Sequence, residues 1–293
     1  MILTILTPTY NRAATLKRLW NSLQRQTIKE FQWLVVDDGS TDNTESLIRE
    51  FSANSLFPVK YILKENGGKH TALNRGIEEI DSELTFIVDS DDWLPADSVE
   101  LILKTHKRFS GNQNICGYSF LRQYPDGKIN GKTFRVDCLI ASYIDARINS
   151  DDTHSDKAEV FLTKCLREYP FPEFSNEKFL GEDIVWIRMA RQYKMVYINQ
   201  PIYIGDYLSD GLTNTRRRHN IASPLGCMYR AVEFTYPDIK LAYRIKGSLQ
   251  LIAYGLMANY QLKELMSFSK SKLLTFALIP GGFLLSHIWS ASN

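Results

Sequence analysis

The chain is poor in cysteine. Cys116, Cys138, Cys165 and Cys227 are its only four, scattered with no C-x-x-C pair. That spacing argues against a zinc site, suits a reducing compartment, and leaves the four as small hydrophobes. An excess of one charge is missing too: 35 Lys and Arg stand against 33 Asp and Glu, a formal net charge of +2. There is no global electrostatic case for nucleic acid, so an anionic partner has to be met locally. Residues 1–6 are apolar but have no basic region, and Pro8 cuts them short of a signal-peptide core, so a first strand is expected there. No internal repeat or low-complexity tract occurs. Residues 273–289 are almost wholly apolar, yet the run is short for a membrane span and is interrupted by Pro280-Gly281-Gly282.

What is present suits an ordinary enzyme: 44% hydrophobic and 23% charged residues can bury one large core, or a core plus a smaller appendage. The first half alternates strand and helix patterns. After the opening strand, Leu16, Leu19, Trp20 and Leu23 recur at helical spacing, and residues 31–36 form a second apolar run. Asp42 and Glu45 have capping-box spacing before Leu47, Ile48 and Phe51. Residues 59–63 predict a third strand, Ala72, Leu73, Ile77 and Ile80 a third helical stripe, and residues 84–88 a fourth strand. Repeated β-α units of this kind imply an α/β fold with a doubly wound, mostly parallel sheet. Later, residues 115–124 predict a strand, Asp126-Gly127 a hairpin turn, residues 149–156 a polar loop, 182–193 a helix, and 195–199 and 202–207 two strands; from Asn220 onward the chain reads as helical.

Two strands share one grammar, an apolar run that stops at carboxylates: Val35-Val36-Asp37-Asp38-Gly39-Ser40 and Ile87-Val88-Asp89-Ser90-Asp91-Asp92. Such a pattern puts acids at the carboxyl edge of parallel strands, where open α/β sheets bind ligands. Paired carboxylates there suit Mg²⁺ or Mn²⁺ held against phosphate oxygens. Gly67 and Gly68 would let backbone approach a phosphate, with Lys69, His70 or Arg75 adding charge; a glycine turn into a surface helix is the alternative.

Five motifs in order, T-P-T-Y-N-R (7–12), D-D-G-S-T-D (37–42), N-G-G-K-H-T-A-L-N-R-G (66–76), D-S-D-D (89–92) and G-E-D (181–183), resemble the inverting family 2 glycosyltransferases of the GT-A fold over residues 1–210. The resemblance implies a GT-A catalytic domain at 1–215, with a nucleotide-binding half at 1–98 and an acceptor-binding half at 99–215, followed by a helical, membrane-associated extension at 216–293. It assigns the nucleoside to Thr7, Pro8, Tyr10 and Asp38, with Gly68, Asn74 and Asp89 also facing the nucleotide. Mn²⁺ or Mg²⁺ falls to Asp91 and Asp92, with Asp89 close behind, since one sequence leaves the register open. For Asp37 and Asp38 helix capping is the competing reading, as is an acidic cap for D-S-D-D.

Asp183 is implied as general base, with Glu182 orienting the acceptor; their alternative is a pair of charges at a helix start, and Trp186 beside them reads as core. Residues 206–214 resemble the family's mobile donor loop, with Arg216, Arg217, Arg218 and His219 as diphosphate clamp or solvated basic face. The Q-x-x-R-W motif of processive synthases is missing, which favours addition of a single sugar.

The expected function is therefore metal-dependent transfer of one sugar from a nucleotide-sugar, a UDP-sugar, to a glycan or polyprenyl-diphosphate-linked acceptor in surface polysaccharide synthesis. The alternatives are sugar-phosphate nucleotidyl transfer, disfavoured by the lack of glycine in residues 7–12, and a non-catalytic sugar-binding scaffold. Lys240, Arg244, Lys246, Lys263, Lys270 and Lys272 accompany the apolar tail, which suits peripheral contact with the inner face of the cell membrane; burial of the tail or a homodimer interface is the other reading.

Overall fold

In a computed structural model, the described residues are 1–150, 155–205 and 216–291. The chain divides into two compact units, Met1–Pro170 with Gln192–Asp206, and Phe171–Arg191 with Tyr207–Asn293. The motif loop expected at 206–214 lies outside the described residues, as does the middle of the polar loop, 151–154.

The first unit holds a single eight-stranded sheet. Its elements in chain order are β1 (Leu3–Thr9), α1 (Ala13–Gln24), β2 (Phe31–Asp37), α2 (Thr44–Asn54), β3 (Val59–Leu63), α3 (Lys69–Glu78), β4 (Leu84–Ile87), α4 (Ser98–Phe109), β5 (Ile115–Gln123), β6 (Leu139–Ala141), β7 (Lys157–Leu162), α5 (Thr163–Glu168) and, returning after the second unit's α6 (Asp183–Met189), β8 (Lys194–Ile204). The strand order is β3-β2-β1-β4-β7-β5-β8-β6. β1 pairs in parallel with both β2 and β4, and β2 with β3. Every residue of β1 is buried, as expected of a strand covered on both faces by crossover helices. β7 then pairs antiparallel with β4 and β5, and β8 runs parallel to β5. The sheet is thus mixed and mostly parallel, as the β-α alternation predicts.

Several elements differ from the sequence reading. The two strands expected at 195–199 and 202–207 are one, β8, whose pairing with β5 slips where Phe120 faces Ile198 and Leu121 faces Pro201. Proline supplies no N–H to the ladder, so the irregularity is local and the strand continues. The helix expected over 182–193 ends at Met189. The capping box does not form: Asp42 instead accepts from Thr44 N at 3.1 Å and from Ala13 N at 3.1 Å, while Glu45 pairs with Arg49. Asp42 therefore ties the start of α1 to the start of α2.

The second unit is helical: α6, α7 (Arg216–Ala222), α8 (Pro224–Glu233), α9 (Leu241–Met257), α10 (Leu262–Phe268), α11 (Lys272–Ala277) and α12 (Ile279–Ser290). Its core joins Met228, Ala231, Leu251, Tyr254 and Leu265, with Trp289 packed against it. Residues 171–191, placed in the catalytic domain on sequence, cluster here with the C-terminal helices. The apolar tail is divided at Leu278 into α11 and α12, and Pro280 lies in the first turn of α12, where proline is tolerated. Gly282 sits against α9 so closely that an added Cβ would lie 2.5 Å from Ile252 Cβ. One side of the tail is thus packed, while Leu273, Phe276, Phe283, Leu284 and Ile288 remain exposed. No helix among the described residues is long and apolar enough to cross a membrane.

Candidate active site

The carboxyl ends of β1, β2 and β4 are neighbours in the sheet, so the first four motifs converge at one edge. Loop 7–12 and loop 37–42 are stitched together there. Asn11, at φ +52°, donates its N–H to Ser40 Oγ at 2.8 Å and accepts from Thr41 N at 2.8 Å. Tyr10 is left 49% exposed, an aromatic ring presented at the edge. Thr7 and Pro8 are buried within β1, and the Thr7 hydroxyl accepts the Trp33 indole N–H at 3.0 Å, so its side chain works inside the sheet.

Asp37 and Asp38 have separate tasks. Asp37 closes its own turn, accepting from Ser40 N at 2.8 Å and from the Tyr61 hydroxyl at 2.8 Å. Asp38 reaches across to the glycine loop: Oδ1 accepts Gly67 N at 2.9 Å and the Lys64 ammonium at 2.7 Å, and Oδ2 accepts Gly68 N at 2.7 Å. Gly68 has φ +97°, a conformation that a side chain would strain. This clamp sets the start of α3, which carries Lys69, His70 and the half-buried Asn74. Lys69 reaches back to Asp89, Nζ to Oδ1 at 2.5 Å. His70 is buried, and Arg75 is exposed and pairs with Glu79 at 2.7 Å.

The three carboxylates after β4 differ sharply. Burial works against ionisation of Asp89, but Lys69 and Arg122 hold its carboxyl below the usual carboxylate range. Asp92 is buried, accepts the Tyr203 hydroxyl at 2.7 Å, and lies 3.7 Å from Arg122 Nη1. Burial and the charge of Asp89 push it up to about 7, against the pull of Arg122 and Tyr203. The same hydroxyl accepts the Asp89 N–H at 3.0 Å, and the Arg122 guanidinium stacks on the Tyr203 ring at 3.9 Å. Asp91, at the tip, is half-buried; its backbone carbonyl accepts from Arg18, and its carboxyl is raised by burial and by Asp89. Trp93 holds that arginine, its ring 3.9 Å from Arg18 Cζ.

Among the described residues no three acidic, His or Cys side chains converge on one metal position. An oxygen-only donor set of two carboxylates nonetheless fits Mg²⁺ or Mn²⁺, which take their remaining ligands from phosphate and water. Burial first, and then the charge of Asp89, raise the Asp91 and Asp92 carboxyls, and a bound cation would favour their ionised forms.

The second unit holds the remaining acids. Glu182 and Asp183 stand at the start of α6, and Trp186 is buried one turn on, edge-to-face with Phe171 at 5.7 Å. Asp183 is gripped by Arg230 of α8, Nε to Oδ1 at 2.5 Å and Nη2 to Oδ2. An added Cβ on Gly181 would lie 2.9 Å from Arg230 Cδ and 3.0 Å from Asp183 Oδ1, so it would press on this pair. His219 stacks on Phe179, with ring centroids 5.7 Å apart.

Sequence reasoning missed Arg122, Tyr203, Lys64 and Arg230. Each lies 26 or more residues from the acid it serves, and none stands in a motif.

The glycosyl transferase family 2 model matches residues 4–140. The GalNAc(5)-diNAcBac-PP-undecaprenol beta-1,3-glucosyltransferase of Campylobacter jejuni is 24% identical over 209 residues, 69% of this chain and 63% of that protein. The chain spans 16% to 63% of the length of the first curated relatives it matches. Among solved structures, S. aureus TarS 1-349 in complex with UDP-GlcNAc superposes with a TM-score of 0.65 at 16% identity, covering 100% of this chain and 93% of that one. The mannosyltransferase PcManGT from Pyrobaculum calidifontis, in complex with GDP-Man and Mn²⁺, gives 0.58 at 17% identity, covering 98% and 86%. The first four motifs gather at the carboxyl edge of this mixed sheet and lie within the matched residues 4–140, so that region is similar to glycosyl transferase family 2, on a sheet that superposes on solved glycosyltransferases.

Proposed function

We propose that the protein is an inverting, metal-dependent transferase that moves one sugar from a nucleotide-sugar, a UDP-sugar, to a glycan or polyprenyl-diphosphate-linked acceptor in surface polysaccharide synthesis. The observation that carries this reading is the sheet edge where Tyr10, the Asp38 clamp and Asp89, Asp91 and Asp92 meet. UDP-GlcNAc and GDP-Man with Mn²⁺ in the two fold neighbours support the donor class and the metal, and the undecaprenol-linked substrate in the Campylobacter relative's name supports the acceptor class.

In this reading Tyr10 packs on the base, and Gly67 and Gly68 bring backbone close to the diphosphate while Asp38 keeps the loop in shape. Asp91, with Asp92 or Asp89 beside it, would hold Mn²⁺ or Mg²⁺, which when bound supplies positive charge against the diphosphate oxygens. Lys69 keeps Asp89 ionised. Asp183 takes the proton of the acceptor hydroxyl as it attacks the anomeric carbon, and Glu182 orients that acceptor. Peripheral contact with the inner membrane face would bring the enzyme to a lipid-linked acceptor.

A screen of nucleotide-sugar hydrolysis and transfer, with and without Mn²⁺, tests the reading. UDP-sugars should be turned over only with divalent metal, with inversion at the anomeric carbon. Full activity in excess chelator would sink the metal assignment.

A further inference from the structure

We propose that the second unit carries a phosphate-binding depression that docks the protein on anionic lipid headgroups. This deepens the membrane contact named above by giving it a site. An open depression of about 700 Å³ is lined by Arg244, Lys270 and Lys272, by serine hydroxyls, and at its rim by Leu273. No acidic residue lines it.

The cations are held in place from beneath. Arg244 Nη2 donates to Ser271 Oγ at 2.7 Å, and that hydroxyl in turn donates to Thr235 O at 2.6 Å. Lys270 N donates to Thr235 Oγ1 at 3.0 Å, and its ammonium extends over the Tyr236 ring at 5.5 Å. Lys270 and Lys272 keep exposed side chains. The surrounding sequence leaves their charge uncompensated: from Lys240 to the last residue, six Lys and Arg face a single acid, Glu264. Glu264 is itself occupied in the capping box of α10 with Gln261.

Three cations alone would suit any phosphate. The rim decides between sources. Leu273 is 89% exposed and Phe276, one turn along α11, is 67% exposed, followed on α12 by Phe283, Leu284 and Ile288. A free anion gains nothing from leucine and phenylalanine held in water beside it. A bilayer surface offers phosphate and acyl chain within a few ångströms of each other, matching cations and apolar side chains on adjacent residues. Because no described helix can cross the bilayer, the contact is with its surface.

The test is co-sedimentation of the full chain with phosphatidylcholine vesicles, with and without phosphatidylglycerol. We expect binding to the anionic vesicles, weakened about tenfold or more in K270E/K272E, since each cation near such a surface contributes of the order of tenfold or less. L273D/F276D should also lose binding, and unchanged melting of both variants would show the fold intact. Inorganic phosphate should not release the bound protein. Failure of the wild-type chain to bind, binding untouched by the four substitutions, or complete release by inorganic phosphate would each overturn the proposal. If binding persists on soluble polyanions and ignores L273D/F276D, the partner is a polyanion and not a lipid, and the proposal is again wrong. Neither donor nor acceptor is present in the assay, so its failure leaves the sugar-transfer reading standing, and failure of sugar transfer leaves this one standing.

Discussion

Arg230 holds both carboxylate oxygens of Asp183 in a two-pronged grip, and the two residues come from helices 47 positions apart. The fork fixes the carboxylate plane in a way a lysine cannot reproduce. If Asp183 is the base, Asp183→Asn should lower kcat by about 10²-fold or more with donor affinity nearly unchanged. Arg230→Lys keeps the charge but loses the fork, and should lower kcat by about tenfold through a misplaced carboxylate. A matching loss of donor binding in either variant would place the pair with the nucleotide instead.

The Asp38 carboxylate accepts both Gly67 N and Gly68 N, and it also takes the Lys64 ammonium. Asp38→Ala takes the acceptor from the two backbone donors, while Lys64 keeps Thr71 Oγ1 and Glu65 O, and each backbone group left unmet costs about 1–3 kcal/mol. Urea unfolding should show a stability loss of about 3 kcal/mol, at the upper end of that range, together with weaker UDP binding. Unaltered stability with lost UDP binding would instead make Asp38 a direct ligand of the base.

Asp91 and Asp92 should separate under mutation although they are adjacent. Asp91→Asn should remove Mn²⁺-dependent UDP binding, read by calorimetry, with little change in melting. Tyr203→Phe strips Asp92 of the hydroxyl at 2.7 Å and Asp89 N of its acceptor at 3.0 Å. That variant should lose about 1–3 kcal/mol of stability. A thermal melt that does not move would mean the array is not holding the strand end.

Lys157 gives the pH dependence. Its ammonium is buried and donates to Ser155 Oγ at 2.6 Å, Lys132 O at 3.1 Å and Asn130 O at 3.3 Å. Burial pushes its pKa down to about 8 from 10.5. Below pH 8 folded and unfolded chains both hold the proton, so this group contributes no slope; between about 8 and 10.5 only the unfolded chain holds it, and stability from this group rises with pH. Subtracting the urea stability of Lys157→Met from that of wild type should show the rise, by up to about 1.4 kcal/mol per pH unit. A flat difference would refute the shift.

Leu265 and Leu273 contrast within one tail. Leu265 is fully buried in the helical core and Leu273 is 89% exposed. Leu265→Ala should cost about 2–5 kcal/mol, whereas Leu273→Ala should leave unfolding nearly unchanged. Truncation after Lys263 removes Leu265 and also Trp289, whose ring packs 4.8 Å from Tyr254, so it should destabilise the second unit and is a poor probe of membrane contact.

The amino-acid sequence by itself determined the β-α alternation, the parallel strands and the acids at their ends. These are local properties: apolar runs set by strand period and burial, and turns set by glycine, proline and aspartate. The motifs were legible for the same reason, since each is one loop read in order. Only the tertiary structure decided how each acid is held. Asp89 and Asp92 are three residues apart and chemically identical, yet Lys69 and Arg122 hold one low while burial and its neighbour's charge raise the other. Arg122, Tyr203, Lys64 and Arg230 come from distant elements, and no local period marks a residue whose partner is brought near by the fold. Likewise an apolar tail looks the same on paper whether it packs or faces outward; Gly282 against Ile252 and the exposed Leu273 show that it does both, because a helix has two sides and only its neighbours decide which one is covered.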